Sequence, residues 1–171
     1  MLKSLRVVTS VSLCIRKIDD NADRLRSSRL ASDGIHLVRF RSIDAAGNIE
    51  AAKLATVRID NDAPLFAAVA LPVILLPVNK KLVDITVLPL AIDLLSGTET
   101  VTLVSVTSTD ASTTADDIAG WSVGSTDTHG QLRAERAPGG GARLYKLRYR
   151  AVDRAGNEAF ATATVQVPAG R

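Results

Sequence analysis

FRSIDAAGN, residues 40–48, returns as YRAVDRAGN at residues 149–157. In each copy an alternating stretch runs into an Asp-x-Ala-Gly-Asn turn. A second alternating stretch follows, closing on Val57-Arg58-Ile59 in one copy and Val165-Gln166-Val167 in the other. A hairpin repeated at roughly a hundred-residue spacing predicts tandem β-sandwich modules rather than one enzyme domain. In the first copy His36, Val38, Phe40, Ser42 and Asp44 share one face, and Leu37, Arg39, Arg41 and Ile43 share the other. In the second, Tyr145, Leu147, Tyr149, Ala151 and Asp153 oppose Lys146, Arg148, Arg150 and Val152. Side chains alternate across a strand, so the aromatic and aliphatic set is expected to face a core and the basic set water. One wet face argues for antiparallel sheets.

Asp44 and Asp153 each stand three residues before a glycine and four before an asparagine. A carboxylate there accepts backbone N–H groups of the turn, and Gly47-Asn48 and Gly156-Asn157 tolerate the positive φ that such a loop needs. All six residues are read as structural turn positions. An acid or ion-ligand role for the two aspartates is the alternative.

The stretch SDGIHLVRFRSIDAAGNIEAAKLATVRIDNDAP, residues 32–64, resembles the immunoglobulin-like repeats of bacterial surface and secreted proteins. The likeness extends over about residues 15–64. Residues 66–168 resemble a related module, the hyalin-repeat class with its fibronectin type III-like sandwich. The phrases that carry this are LPVNKKLVDITV at 76–87, TVTLVSVTS at 100–108, QLRAERAPGGGARLYKLRYRAVDRAGN at 131–157 and TATVQVP at 162–168. The resemblance implies an all-β chain of tandem immunoglobulin-like antiparallel sandwiches, the first one incomplete. Its parts would be a partial module at 1–63, a Pro-containing linker and first strand at 64–78, and a fuller module at 79–168.

It also implies a non-catalytic structural spacer or adhesion module of a larger extracellular bacterial protein. Partners would be neighbouring modules, a surface polysaccharide or a host matrix protein. An accessory carbohydrate-binding or substrate-binding domain of a secreted hydrolase is the alternative. Asp60-Asn61-Asp62-Ala63-Pro64 is similar to the calcium-binding linkers of cadherins, so calcium at the Asp60–Asp62 junction stands beside a plain spacer joint. Calcium takes six to eight oxygens, more than this phrase supplies. Modules of this class often carry a cysteine pair, but Cys14 is the chain's single cysteine and no intrachain disulfide can form.

Residues 5–13 read as a strand. Lys3 and Arg6 precede an apolar run, but Thr9, Ser10 and Ser12 interrupt it and no Ala-x-Ala site follows, so it does not read as an export signal. The expectation is a chain that begins inside a module. The apolar stretch from Leu65 to Val78 is broken by Pro72 and Pro77 and is too short to span a bilayer.

A net charge of +3 is mild. Arg39, Arg41 and Arg58, with Arg133, Arg136, Arg143, Arg148, Arg150 and Arg154, are expected on solvated faces that keep sheet edges apart. Interleaved aromatics for base stacking are missing, which argues against nucleic acid. The irregular region 108–141 carries Trp121, the candidate ligand contact, with His129 beside it. Asp110, Asp116, Asp117 and Asp127 there are possible ion ligands that do not match an EF-hand spacing. There is no HExxH, CxxC, phosphate-cradling loop or nucleophile elbow, so no catalytic residue and no enzyme is expected.

Overall fold

The computed structural model describes residues 11–15, 26–30, 32–44 and 46–169. Apart from one 3-10 turn at Ala115–Asp117, the described regular structure is all strand. The chain divides into two units. The first comprises residues 1–62 with 94–96 and 154–157, and the second the remainder.

In the first unit, β1 (Val11–Ile15) pairs antiparallel with β2 (Arg26–Leu30), and β3 (Gly34–Phe40) with β4 (Lys53–Ile59). Residues 5–10 of the expected opening strand lie outside the described residues. The β3–β4 ladder runs from Gly34↔Ile59 to Phe40↔Lys53, and an Ile43↔Ile49 bridge continues it toward the turn. Alternation decides which side chains are sheltered. Val38 and Ile59 are buried, whereas Ile35, Leu37 and Leu54 are exposed on the hairpin's other side. Among the described residues, this unit contributes two two-stranded ribbons.

The second unit is a closed two-sheet sandwich. Its strands are β5 (Leu65–Leu71), β6 (Leu82–Ile92), β7 (Thr98–Ser108), β8 (Ile118–Ala119), β9 (His129–Arg133), β10 (Arg143–Asp153) and β11 (Glu158–Val167). One sheet has the order β5-β6-β9-β8 and the other β11-β10-β7. Lettered A to G along the chain, these are A-B-E-D against G-F-C, the strand order of a constant-type immunoglobulin sandwich. After β5 the chain crosses to the second sheet. Ile74 bridges Gln166 in parallel, with Leu75 N–H donating to Gln166 O and Gln166 N–H to Val73 O, each at 2.8 Å. Within the stretch 64–78, Leu65–Leu71 thus form the first strand of this sandwich.

The core is built by period-two alternation. Tyr145, Leu147, Tyr149 and Ala151 of β10 are fully buried, and Ile85 and Val87 of β6, Leu103 of β7, Leu132 of β9 and Val165 of β11 close on them. Lys146 and Arg148, in the opposite phase, are exposed. The two tyrosines keep their hydroxyls paired inside the core, Tyr145 donating to Arg133 O and Tyr149 to Asp127 O, both at 2.9 Å. Burial pushes each phenol up to about 12. Tyr145 ties β10 back to the chain end of β9, as a tyrosine corner does in this sandwich class.

One expectation is corrected here. Arg143, placed above among the solvated arginines, is buried with 2% of its surface exposed. It shares the odd-numbered phase of β10 with Tyr145 and Leu147, so the alternation that defines the core carries this guanidinium inward.

Candidate functional site

The second sandwich has two poles. At one, β5 and β11 begin while β6 and β10 end; at the other, β5 and β11 end while β10 begins. The loops at the second of these poles are organised around Arg143. Its Nε donates to Ser108 Oγ at 2.9 Å, Nη1 to Glu135 O at 3.0 Å, and Nη2 to Thr113 Oγ1 and Asp117 Oδ2, both at 3.0 Å. The guanidinium also lies over the Tyr145 ring, 4.4 Å from its centroid. One planar fork thus joins the end of β7, the 3-10 turn and the segment after β9.

Asp117 completes the network. Its Oδ1 accepts Arg133 Nε at 2.6 Å, and its Oδ2 also accepts Thr114 N–H at 3.0 Å. Burial alone would raise this carboxyl. The Thr114 N–H and the two guanidinium partners, Arg143 and Arg133, outweigh it and hold the group below its usual range. Arg133 further donates to Lys80 O at 2.8 Å and Asp116 O at 2.9 Å.

Two of the other acids proposed as ion ligands in this region, Asp110 and Asp127, hold loops. Asp110 Oδ1 accepts Ser112 N–H and Oγ–H, and Oδ2 accepts Ala137 N–H at 2.7 Å. Asp127 accepts Ser122 N–H at 2.7 Å and His129 N–H at 3.1 Å. His129 is exposed, with its Nδ1 against Thr128 Oγ1. A depression of about 200 Å³ lined by Thr109, Asp110, Ala137 and Arg143 lies at this pole. That is below the roughly 300 Å³ at which small-molecule pockets begin.

Trp121 follows β8, half-buried against the core. Its indole covers Gly130, where any Cβ would collide with the ring, and its Nε1–H donates to Gln131 O at 3.3 Å. The side chain is a packing element of the β8–β9 edge.

At the opposite pole, Asp93 follows β6 and Asp153 ends β10, bringing carboxylate oxygens within 4.8 Å of one another. Asp93 Oδ1 accepts Gly97 N–H at 2.8 Å, and Asp153 is fully buried. This juxtaposition of two carboxyl groups was not foreseen from sequence, because the residues stand 60 positions apart, at the ends of strands in different sheets that only the packing of the sandwich brings together.

The first unit carries the remaining sequence candidates. Asp44 Oδ1 accepts Ala46 N–H at 3.0 Å and Asn48 N–H at 2.8 Å, and Oδ2 accepts Asn48 Nδ2 at 2.8 Å. The Asn48 side chain leads the causes that lower the Asp44 carboxyl. Gly47 sits at φ 87° and Gly156 at φ 97°, so both glycines occupy the left-handed region. In the second copy, Asn157 Nδ2 donates to Asp60 O at 3.2 Å.

Asp60 is buried. Its Oδ1 accepts Asp62 N–H at 3.1 Å, and its Oδ2 has no hydrogen-bond partner among the described residues. Asp62 itself is exposed. Asn61 turns to Asp33, donating through N–H at 2.9 Å and Nδ2 at 2.6 Å to Oδ1. Asp60 offers a free oxygen to a hard cation, but Asp60–Asp62 as a local loop does not converge on one. Among the described residues, neither unit taken by itself assembles the six to eight oxygens that calcium takes.

No family model matches the chain, and a search of curated proteins returns no match. No helix among the described residues is long and apolar enough to cross a membrane.

Proposed function

We propose that the chain is a non-catalytic structural spacer or adhesion segment of a larger extracellular bacterial protein, built from immunoglobulin-like modules. The observation that carries this reading is the path of the chain through the second sandwich. It begins β5 at one pole and finishes β11 at the other, so successive modules joined in this way extend end to end. Ten residues of β11 at about 3.3 Å each give a pole-to-pole span of roughly 30 Å. Tension on the two ends would load the parallel Val73–Leu75 and β11 contact along the strands, in shear, where its hydrogen bonds resist together.

The chemistry of the second unit supports a passive role. Asp110, Asp117 and Asp127 are engaged in turns and ion pairs, Trp121 is engaged in packing, and the core is filled by apolar side chains. The extracellular setting and the neighbouring-module partners rest on the resemblance in residues 32–64 and 66–168.

Stretching the protein between residues 63 and 169 with optical tweezers tests the reading. The expected record is one cooperative step releasing about 330 Å, since about a hundred residues at 3.3–3.6 Å each leave a folded span of about 30 Å. Gradual lengthening without a step would overturn it.

A further inference from the structure

The outer face of the β5–β6 ribbon carries large apolar side chains where a soluble sheet is expected to carry polar ones. In β5 the residues that alternate outward are Leu65, Ala67, Val69 and Leu71. In β6 they are Leu88, Leu90 and Ile92. Register makes them one patch, since Leu65 pairs with Ile92, Ala67 with Leu90 and Val69 with Leu88. Exposure runs from 44% at Ile92 to 77% at Leu65. Along β6, β9 pairs only with Leu82–Thr86, so the upper half of β6 has β5 as its sole strand neighbour in this sheet.

We infer that this face is a docking surface for a second copy of the chain, the two β5–β6 faces packing against each other about a twofold axis. The exposed side chains sum to on the order of 600 Å² per copy, at the upper end of the largest patch on an ordinary monomer. Two such faces would bury about 1,200 Å², above the roughly 1,000 Å² that a specific interface needs. The segments LFAAVAL and VLPLAI contain no ionisable residue, so two copies meet without burying a charge.

Other occupants fit less well. A glycan or nucleic acid requires outward hydrogen-bonding groups or aromatic rings, and Phe66, the ribbon's one aromatic residue, packs against the core. An anionic lipid surface requires a basic border. Here the outward polar neighbours are Thr86 and exposed His129, then Asp84 and Gln131, joined at 2.8 Å, while Arg133 farther along is held by Asp117, so a row of free lysines or arginines is not what borders the patch.

Sedimentation equilibrium of the full chain tests the inference. The wild type is expected to sediment as a dimer at micromolar concentration, the Leu88→Lys/Leu90→Glu variant as a monomer, and Thr162→Lys on the opposite sheet as a dimer. A monomeric wild type would overturn it. So would a double variant that remains dimeric, because the contact would then lie elsewhere, for example on the exposed hairpin of the first unit. A photo-crosslinking phenylalanine derivative in place of Leu90 gives a readout independent of the variant's folding. It is expected to yield covalent dimers that the same group at Thr162 does not, and equal yields at the two positions would contradict the inference.

Discussion

Arg143 is the residue on which the most polar geometry of the sandwich depends. It is buried, ion-paired to Asp117, and bonded to three separate chain segments. Replacing it with Met keeps much of the volume but leaves the Asp117 carboxylate short of a partner in a sheltered site. Loss of one member of a buried pair costs about 3 kcal/mol, and Arg143→Met is expected to lower urea-unfolding stability by about that amount. The pH dependence follows in sign. The folded Asp117 carboxyl is depressed, so its contribution is present above the ordinary carboxylate range near 4 and is lost as pH falls through the lower folded value. Asp117→Asn is expected to flatten the acid limb of a stability-versus-pH curve, and an unchanged limb would contradict the assignment.

At the level of elements, Trp121 and Gly130 decide how the short β8–β9 edge closes. Gly130 lies under the indole, and a Cβ at that position would displace the ring. Gly130→Ala is therefore expected to destabilise by about 1–3 kcal/mol, the usual cost of forced overpacking. Tryptophan fluorescence should shift red as the indole moves toward water. If stability and emission both match the wild type, the ring is not held as described.

This contact shows why part of the site was illegible in the sequence. A lone Trp in a polar loop reads equally as a ligand platform or an anchor, and its meaning depends on a glycine nine residues later on a different strand. The repeated Asp-x-Ala-Gly-Asn phrase was legible because its hydrogen bonds are local: Asp44 reaches no farther than Asn48. Arg143 fell between these cases. Its odd phase in β10 marked it as inward, whereas its charge alone suggested water.

For the whole molecule, the all-β class was readable from alternation, turn chemistry and the two hairpins. The pairing that builds the second sandwich was not, since β6 with β9 and β7 with β10 are contacts of high sequence separation. The core of that unit has its own pH signature. Tyr145 and Tyr149 are raised to about 12, so the folded state stays neutral where an unfolded phenol ionises near 10. Their contribution is complete below that value and is lost as pH rises from about 10 through about 12. Tyrosinate absorbance is expected to appear together with unfolding in an alkaline titration. Ionisation near 10 with the fold intact would contradict their burial.

The central claim is that the second unit is a closed sandwich whose chain begins and ends at opposite poles. Spin labels at Ala63 and Ala169, in a Cys14→Ser background, measure it most directly by pulsed electron resonance. The strand directions predict one narrow distance distribution at roughly 30–35 Å, the length of a ten-residue strand with short extensions. The companion pair Ala63 and Glu158, at one pole, is expected to be much closer. A short Ala63–Ala169 distance, or a broad distribution, would contradict the account.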